Sequence, residues 1–392
     1  MGYDLAMPRF GFWAALTAIA LSSQLISCGG GGTTADATAG SPTSTPTPTT
    51  TASGASMAFF YQDVAPGGNS VKAGSTTDGR VIDTSGVSFL TWQPVGRLTT
   101  SYGDPVFSRL ANGRWTMTAG SGSEDPRGDA QLMYHESTCP KVDEAAIRVI
   151  PVSSSSSCIS TRGMMIGKTT EMFSIDGAQY VFSTSELGVR LIKLADTSRN
   201  AADLTAICHR RTPARTLSEL AFGEATIVID PAANPTLRLS DTALARRRDG
   251  TWVLFVKGYA ASATCPSASV CELCARSIYR TTSRDLISWS ALEKLVDQAS
   301  VPEASTFPDG SVALYWQSFQ ETCAAQDLNV AARAPIRMAF ETESGFLGPV
   351  SAIRFPKEAF ETNRNLHYPT NANPILLPDA NAAAALNACL SR

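Results

Sequence analysis

Four times along this chain a short apolar segment ends in a polar turn dipeptide and a second apolar run answers it. The turns are Asn112-Gly113, Asp176-Gly177, Asp249-Gly250 and Asp309-Gly310. Gly supplies the positive φ that a tight hairpin needs, and Asn or Asp tolerates its neighbourhood. The runs that follow, at 115–117, 180–182, 252–256 and 312–316, are aromatic and branched, which suits a pleated, half-buried surface. A third apolar segment recurs after each pair, at 131–135, 189–193, 277–281 and 336–340. A weaker fifth copy spans 370–379. Long amphipathic helical patterns are nearly absent, and only 380–390 predicts a short terminal helix. The turn glycines are spaced by 64, 73 and 60 residues, so residues 57–392 accommodate five such units. Hairpins repeated at long, near-regular spacing predict an all-β, five-bladed β-propeller. Residues 57–61 offer a strand that closes the ring with the last unit.

The first 56 residues read differently. Arg9 precedes an apolar stretch at 10–26, which is short for a membrane-spanning helix, since that takes ~20 apolar residues. The stretch ends in Leu25-Ile26-Ser27-Cys28, which resembles a bacterial lipobox. This resemblance implies a signal peptide over 1–27, with Met7 as an alternative start, and lipid on Cys28. Gly29 follows the Cys where an inner-membrane retention signal would place Asp, which implies the outer membrane if the host is Gram-negative. Residues 28–56 are Gly, Thr, Ser, Ala and Pro with one acid, Asp36, and read as a disordered tether. Membrane contact is therefore expected through the lipid alone.

Nine cysteines, less Cys28, leave eight: Cys139, Cys158, Cys208, Cys265, Cys271, Cys274, Cys323 and Cys389. An even number in an exported domain predicts disulfides that staple long blade loops. Cys139 with Cys158, which bracket one loop, is the expected pair. Cys271-Glu-Leu-Cys274 resembles half a zinc site, but three His in the whole chain and no second close Cys pair favour disulfides. The formal net charge is −3 and the basic residues are scattered, which argues against nucleic acid as a partner. The run Arg246-Arg247-Arg248 is expected to be solvated.

The acids carry the candidate chemistry. Asp104 and Asp241 each lie nine residues before their turn Gly, and Glu303 lies seven before Gly310. The segment Ser283-Arg-Asp285-Leu286-Ile-Ser-Trp289, after an apolar strand, resembles a recurrent blade feature of five-bladed glycoside hydrolases. That group holds arabinanases, xylosidases, invertases and levansucrases, and the likeness is nearest to glycoside hydrolase family 43. The resemblance implies that Asp104 acts as base or nucleophile, Asp241 orients and tunes, and Glu303 is the general acid. It also implies that His367, before Tyr368-Pro369, sits near a calcium ion at the propeller axis. Sugar-bond cleavage needs one ionised and one protonated carboxyl, and neighbouring negative charge keeps the acid protonated.

Blander readings stand beside these. Asp104-Pro105 can initiate a turn, and Asp241 can bond backbone in a loop. Asp285 reads as structural, accepting backbone hydrogen bonds before Trp289 packs. His135 and His209 read as structural, and Trp115, Trp252 and Trp316 as core. Glu171 fits no role in the family pattern. Ala304-Ser305 after Glu303, where the family often has a small residue and Pro, motivates an alternative: a non-catalytic, monomeric propeller that binds glycan or a protein partner at the cell envelope. No Gly-x-Ser-x-Gly word, phosphate loop or dinucleotide fingerprint occurs.

Overall fold

The structure is a computed structural model that describes residues 56–65, 68–79, 83–92, 103–120, 131–153, 155–159, 169–185, 188–196, 201–260, 272–325, 335–342, 348–353 and 368–391. Among the described residues, twenty of twenty-one strands form five four-stranded radial blades of a β-propeller. Blade one takes its inner strand from the end of the chain: β21 (Tyr368–Leu376), then β1 (Met57–Ala65), β2 (Gly68–Thr76) and β3 (Asp83–Trp92). Residues 57–61 thus close the ring as their pattern predicts, with Met57 opposite Leu376. Blade two is β4 (Gly103–Arg109), β5 (Trp115–Gly120), β6 (Gln131–Ser137) and β7 (Arg148–Ser153). Blade three is β8 (Phe173–Ile175), β9 (Ala178–Ser185), β10 (Gly188–Asp196) and the outer strand β12 (Glu224–Ile229). Blade four is β13 (Leu237–Arg246), β14 (Trp252–Ala260), β15 (Arg276–Ser283) and β16 (Glu293–Asp297). Blade five is β17 (Ala299–Thr306), β18 (Val312–Ser318), β19 (Ile336–Phe340) and β20 (Ser351–Ala352).

Five apolar clusters fill the five gaps between neighbouring blades, and this is the direct sign of ring closure. Phe60 and Ile375 meet Phe107 and Met117 between blades one and two. Leu132 and Ile150 meet Val181 and Ile192 between two and three, and Phe182 and Leu191 meet Leu254 and Val256 between three and four. Val253 and Phe255 meet Leu314 and Trp316 between four and five. Tyr315 and Met338 meet Met57 and Phe59 between five and one. Each strand face is a half-buried stripe that cannot be covered within its own sheet, so a radial stack covers all of them at once.

The hairpin chemistry follows the sequence pattern. Gly113, Gly250 and Gly310 hold φ of 82°, 85° and 82°. Asn112, Asp249 and Asp309 each accept the backbone N–H two residues on, at 3.0, 2.9 and 2.9 Å. The short helix over 380–390 is also present as α2 (Ala380–Leu390), after α1 (Gln320–Ala325). Asp379 caps α2 by accepting the Ala382 N–H at 2.8 Å.

Two features depart from the pattern. A short strand β11 (Ile207–His209) pairs in parallel with both β7 and β12, fusing blades two and three into one nine-stranded sheet. The disulfide expectation is also corrected. Cys139 bonds Cys389, 250 residues away, and Cys158 bonds Cys208. Ring closure carries the chain end beside blade two, so nearness in space overrides nearness in sequence. Cys274 bonds Cys323, which removes it as a zinc ligand. Cys265 and Cys271 lie outside the described residues. In the arginine run Arg246 and Arg248 are exposed as expected, with Arg246 over the Trp252 ring at 4.9 Å, whereas Arg247 is half-buried and forks onto Glu341 at 2.8 and 3.0 Å.

Candidate functional site

Every inner strand carries one extra residue at nearly the same height. In β4, Gly103 faces Gly120 but Val106 faces Thr118, so Asp104-Pro105 bulges. In β13, Ser240 and Thr242 face the adjacent residues Lys257 and Val256, which leaves Asp241 as the bulge. In β17, Ser300 faces Gln317 and Glu303 faces Tyr315, so Val301-Pro302 bulges. In β21, Thr370 faces Gln62 and Asn373 faces Phe60. In blade three, Thr169 bridges Ser183 while Phe173 faces Tyr180, which places the extra residue around Glu171. Bulges sharpen the local twist and re-aim side chains, and they concentrate at barrel rims and working sites.

The shared geometry sorts the polar residues into two levels. Arg109, Arg246 and Thr306 each pair with the residue two beyond the turn Gly. Counted back from them, Asp104, Asp241 and Val301 stand five residues up. Asp241 and Val301 share the left-handed backbone, with φ of 48° and 50°. Glu303 stands only three up. Ser174 and Leu376 are the corresponding base residues of blades three and one, and three up from them are Glu171 and Asn373. Blades two and four therefore carry Asp at the upper level, and blades three and five carry Glu at the lower. The apparent misplacement of Glu303, seven rather than nine before its Gly, is this change of level.

The lower level is tied together. Asn373 is fully buried, donates from Nδ2 to Glu171 Oε1 at 3.0 Å, and accepts the Phe107 N–H on Oδ1 at 2.6 Å. Blades one, two and three thereby meet through one side chain. Glu171 was without a role in the sequence; its signal was its height above the turn, which needs the register to be seen. Glu303 is 1% exposed, opposite Tyr315.

At the upper level Asp241 is buried and forms an ion pair with Lys257 of β14. Patterning alone left Lys257, one residue past the apolar run 252–256, with no assigned part. Asp285 lies away from the inner strands. Burial works to raise its carboxyl, yet hydrogen bonds from the Ser288 and Ile287 N–H groups and from Ser283 hold it below the ordinary value. It shapes the turn on which Trp289 donates to the Leu286 carbonyl at 3.0 Å. Trp115, Trp252 and Trp316 all sit in the inter-blade clusters. His135 and His209 are buried.

His367 and Cys28 lie outside the described residues. Among the described residues no group of three or more His, Cys, Asp or Glu side chains gathers to hold a metal ion. The calcium expectation therefore finds no donor set there, and no chemistry is routed through it.

The propeller resembles those of solved glycoside hydrolases. An α-L-arabinanase from Cellvibrio cellulosa, complexed with arabinohexaose, is 12% identical with a TM-score of 0.43, over 79% of this chain and 94% of that one. An endo-1,4-β-xylanase from Bacteroides thetaiotaomicron is 14% identical with a TM-score of 0.42, over 77% and 94%. An exo-β-1,3-galactanase from Clostridium thermocellum is 13% identical with a TM-score of 0.45, over 72% and 55%. No protein-family model and no curated protein matches the sequence.

Proposed function

We propose that this protein is a glycoside hydrolase-like propeller acting on an oligosaccharide or polysaccharide, held at the bacterial envelope by lipid on Cys28. The observation that supports it is the placement of Asp104, Asp241 and Glu303 at or directly after bulges of three different inner strands. In this reading Asp104 is the base or nucleophile. Glu303, withdrawn from water on an inner strand, takes the place of the proton donor. Asp241 orients the site. Carboxyls ~5 Å apart would retain the anomeric configuration, and ~6.5–9.5 Å would invert it. Hydrolysis of aryl arabinosides, xylosides and fructans by the purified protein, compared with Glu303→Gln, tests the reading. Release of sugar that survives the substitution removes Glu303 from its role.

A second reading rests on Lys257. Its ion pair offsets the charge of Asp241, which weakens the negative charge around the acid. A propeller with that pairing serves as a glycan-binding or protein-binding module. Retention of defined glycans on an array without any turnover favours this reading, and turnover favours the first. Recovery of a lipid-modified Cys28 peptide, lost in Cys28→Ala together with membrane association, tests the anchor separately.

A further inference from the structure

Arg190 is only 2% exposed and sits in the wall between blades two and three. It lies on β10 opposite Ser183 of β9 and Ile227 of β12. Alternation along β10 puts it on the side of Ile192 and Leu194, which pack against Leu132, Tyr134 and Ile150 of blade two. Its Nε and Nη1 have no hydrogen-bond partner among the described residues. The carboxylate whose charge it feels is Asp230, which is exposed and occupied in capping, accepting the Ala232 N–H at 2.8 Å. His209, on β11 opposite Ala225, adds a second buried group on the same wall, and its Nδ1 likewise lacks a partner among the described residues. Burial, and secondarily the charge of Arg190, pushes the His209 pKa down to about 3. The imidazole is therefore neutral at ordinary pH and offers one N–H donor.

A buried arginine with two N–H groups lacking a hydrogen-bond partner among the described residues is a costly arrangement. Its unpaired Nε–H and Nη1 open onto different edges of the guanidinium, and a charged N–H donor of this kind binds anions strongly. We propose that Arg190, with His209 beside it, is the binding site of a small inorganic anion, of the chloride or bromide type, seated between blades two and three. The apolar walls favour a weakly hydrated ion, because a ligand there must shed its water. The anion would complete the junction that β11 and the Cys158–Cys208 bond already make between the same two blades.

The test is thermal unfolding of the full chain while chloride replaces gluconate at constant ionic strength. Binding to the folded state alone should raise Tm by about 2 °C or more at saturating chloride. Arg190→Met should abolish the dependence, and Arg190→Lys, which keeps charge but has no Nε–H, should weaken it. Crystals grown in bromide should give an anomalous peak beside Nε or Nη1; this and the wild-type titration decide the matter even if Arg190→Met does not fold. A wild-type Tm indifferent to chloride, an unchanged dependence in Arg190→Met, or bromide data with no peak at either nitrogen would each overturn the proposal.

Discussion

The side-chain amide of Asn373 in blade one donates to the carboxylate of Glu171 in blade three, at 3.0 Å. These blades are not neighbours, and side chains from non-neighbouring blades of a ring meet only toward its axis. The same Asn accepts the Phe107 N–H of blade two, so one residue from the end of the chain fixes three inner strands. Asn373→Ala should therefore cost about 2–3 kcal/mol, since it strands a buried backbone donor and removes a donor from Glu171. Urea unfolding measures the loss, and a change below about 0.5 kcal/mol would show that the link carries no weight.

Asp241 and Lys257 make a second test of the inner ring, from the charged side. Both side chains are mostly buried, at 7% and 12% exposure. Lys257→Met removes the counter-charge of a buried carboxylate and should destabilise by roughly 3 kcal/mol. Asp241→Asn in the same background should recover part of that, because the stranded charge is gone. A double-mutant cycle by chemical unfolding reads the coupling, which should exceed about 1 kcal/mol. Additive losses would mean that the two groups act independently.

The fold was legible in the sequence because its determinants are local. Asn112-Gly113 and its three counterparts specify hairpins through backbone conformation, and the runs behind them specify strands through side-chain period. The placement of Glu303 was less legible. Counting residues to Gly310 cannot reveal that Val301, not Glu303, occupies the height of Asp241, because a bulge is a property of paired strands. The Cys139–Cys389 bond was illegible for a related reason: it depends on where closure delivers the terminal helix. Asp285 was readable because its partners lie within five residues of it. Features defined by one segment could be read, whereas those defined by two segments needed the register.

Glu303 faces the sharpest functional test. If it donates the proton in sugar-bond cleavage, Glu303→Gln should lower kcat by roughly 10²–10⁴. The shape is nearly unchanged by this substitution, so Tm should move by no more than about 3 °C. Steady-state kinetics and a thermal melt on the same preparation separate the two effects. A fall in kcat that tracks a large fall in Tm would indicate a structural Glu rather than an acid.

The Cys139–Cys389 bond anchors α2 against blade two, where Leu386 and Leu390 pack with Phe107 and Met117. The bond closes a loop with a sequence separation of 250 residues, so its removal enlarges the unfolded ensemble considerably. Cys139→Ser with Cys389→Ser should cost about 3–5 kcal/mol and loosen the terminal helix first. Hydrogen exchange should show 380–390 losing protection before the blades do. Uniform loss of protection across the ring would place the helix inside the cooperative unit instead.

The buried histidines set the acid limit of the fold. His209 has its pKa pushed down to about 3, by burial first and then by Arg190. His135 shifts in the same direction, by burial, against the opposing charges of Asp143 and Glu136. A lowered pKa means that the unfolded chain takes up the proton first, so stability is complete above about pH 6.5 and falls as pH drops toward 3. The slope from His209 alone approaches about 1.4 kcal/mol per pH unit. The carboxylates held low, such as Asp285 and Asp297, add their share only as pH falls below about 4. The interval between pH 6.5 and about 4.5 therefore isolates the histidines. Urea unfolding across that interval should show the wild-type protein losing stability and His209→Gln losing distinctly less. Parallel curves for the two proteins would mean that His209 is already protonated, or already exposed, in the folded state.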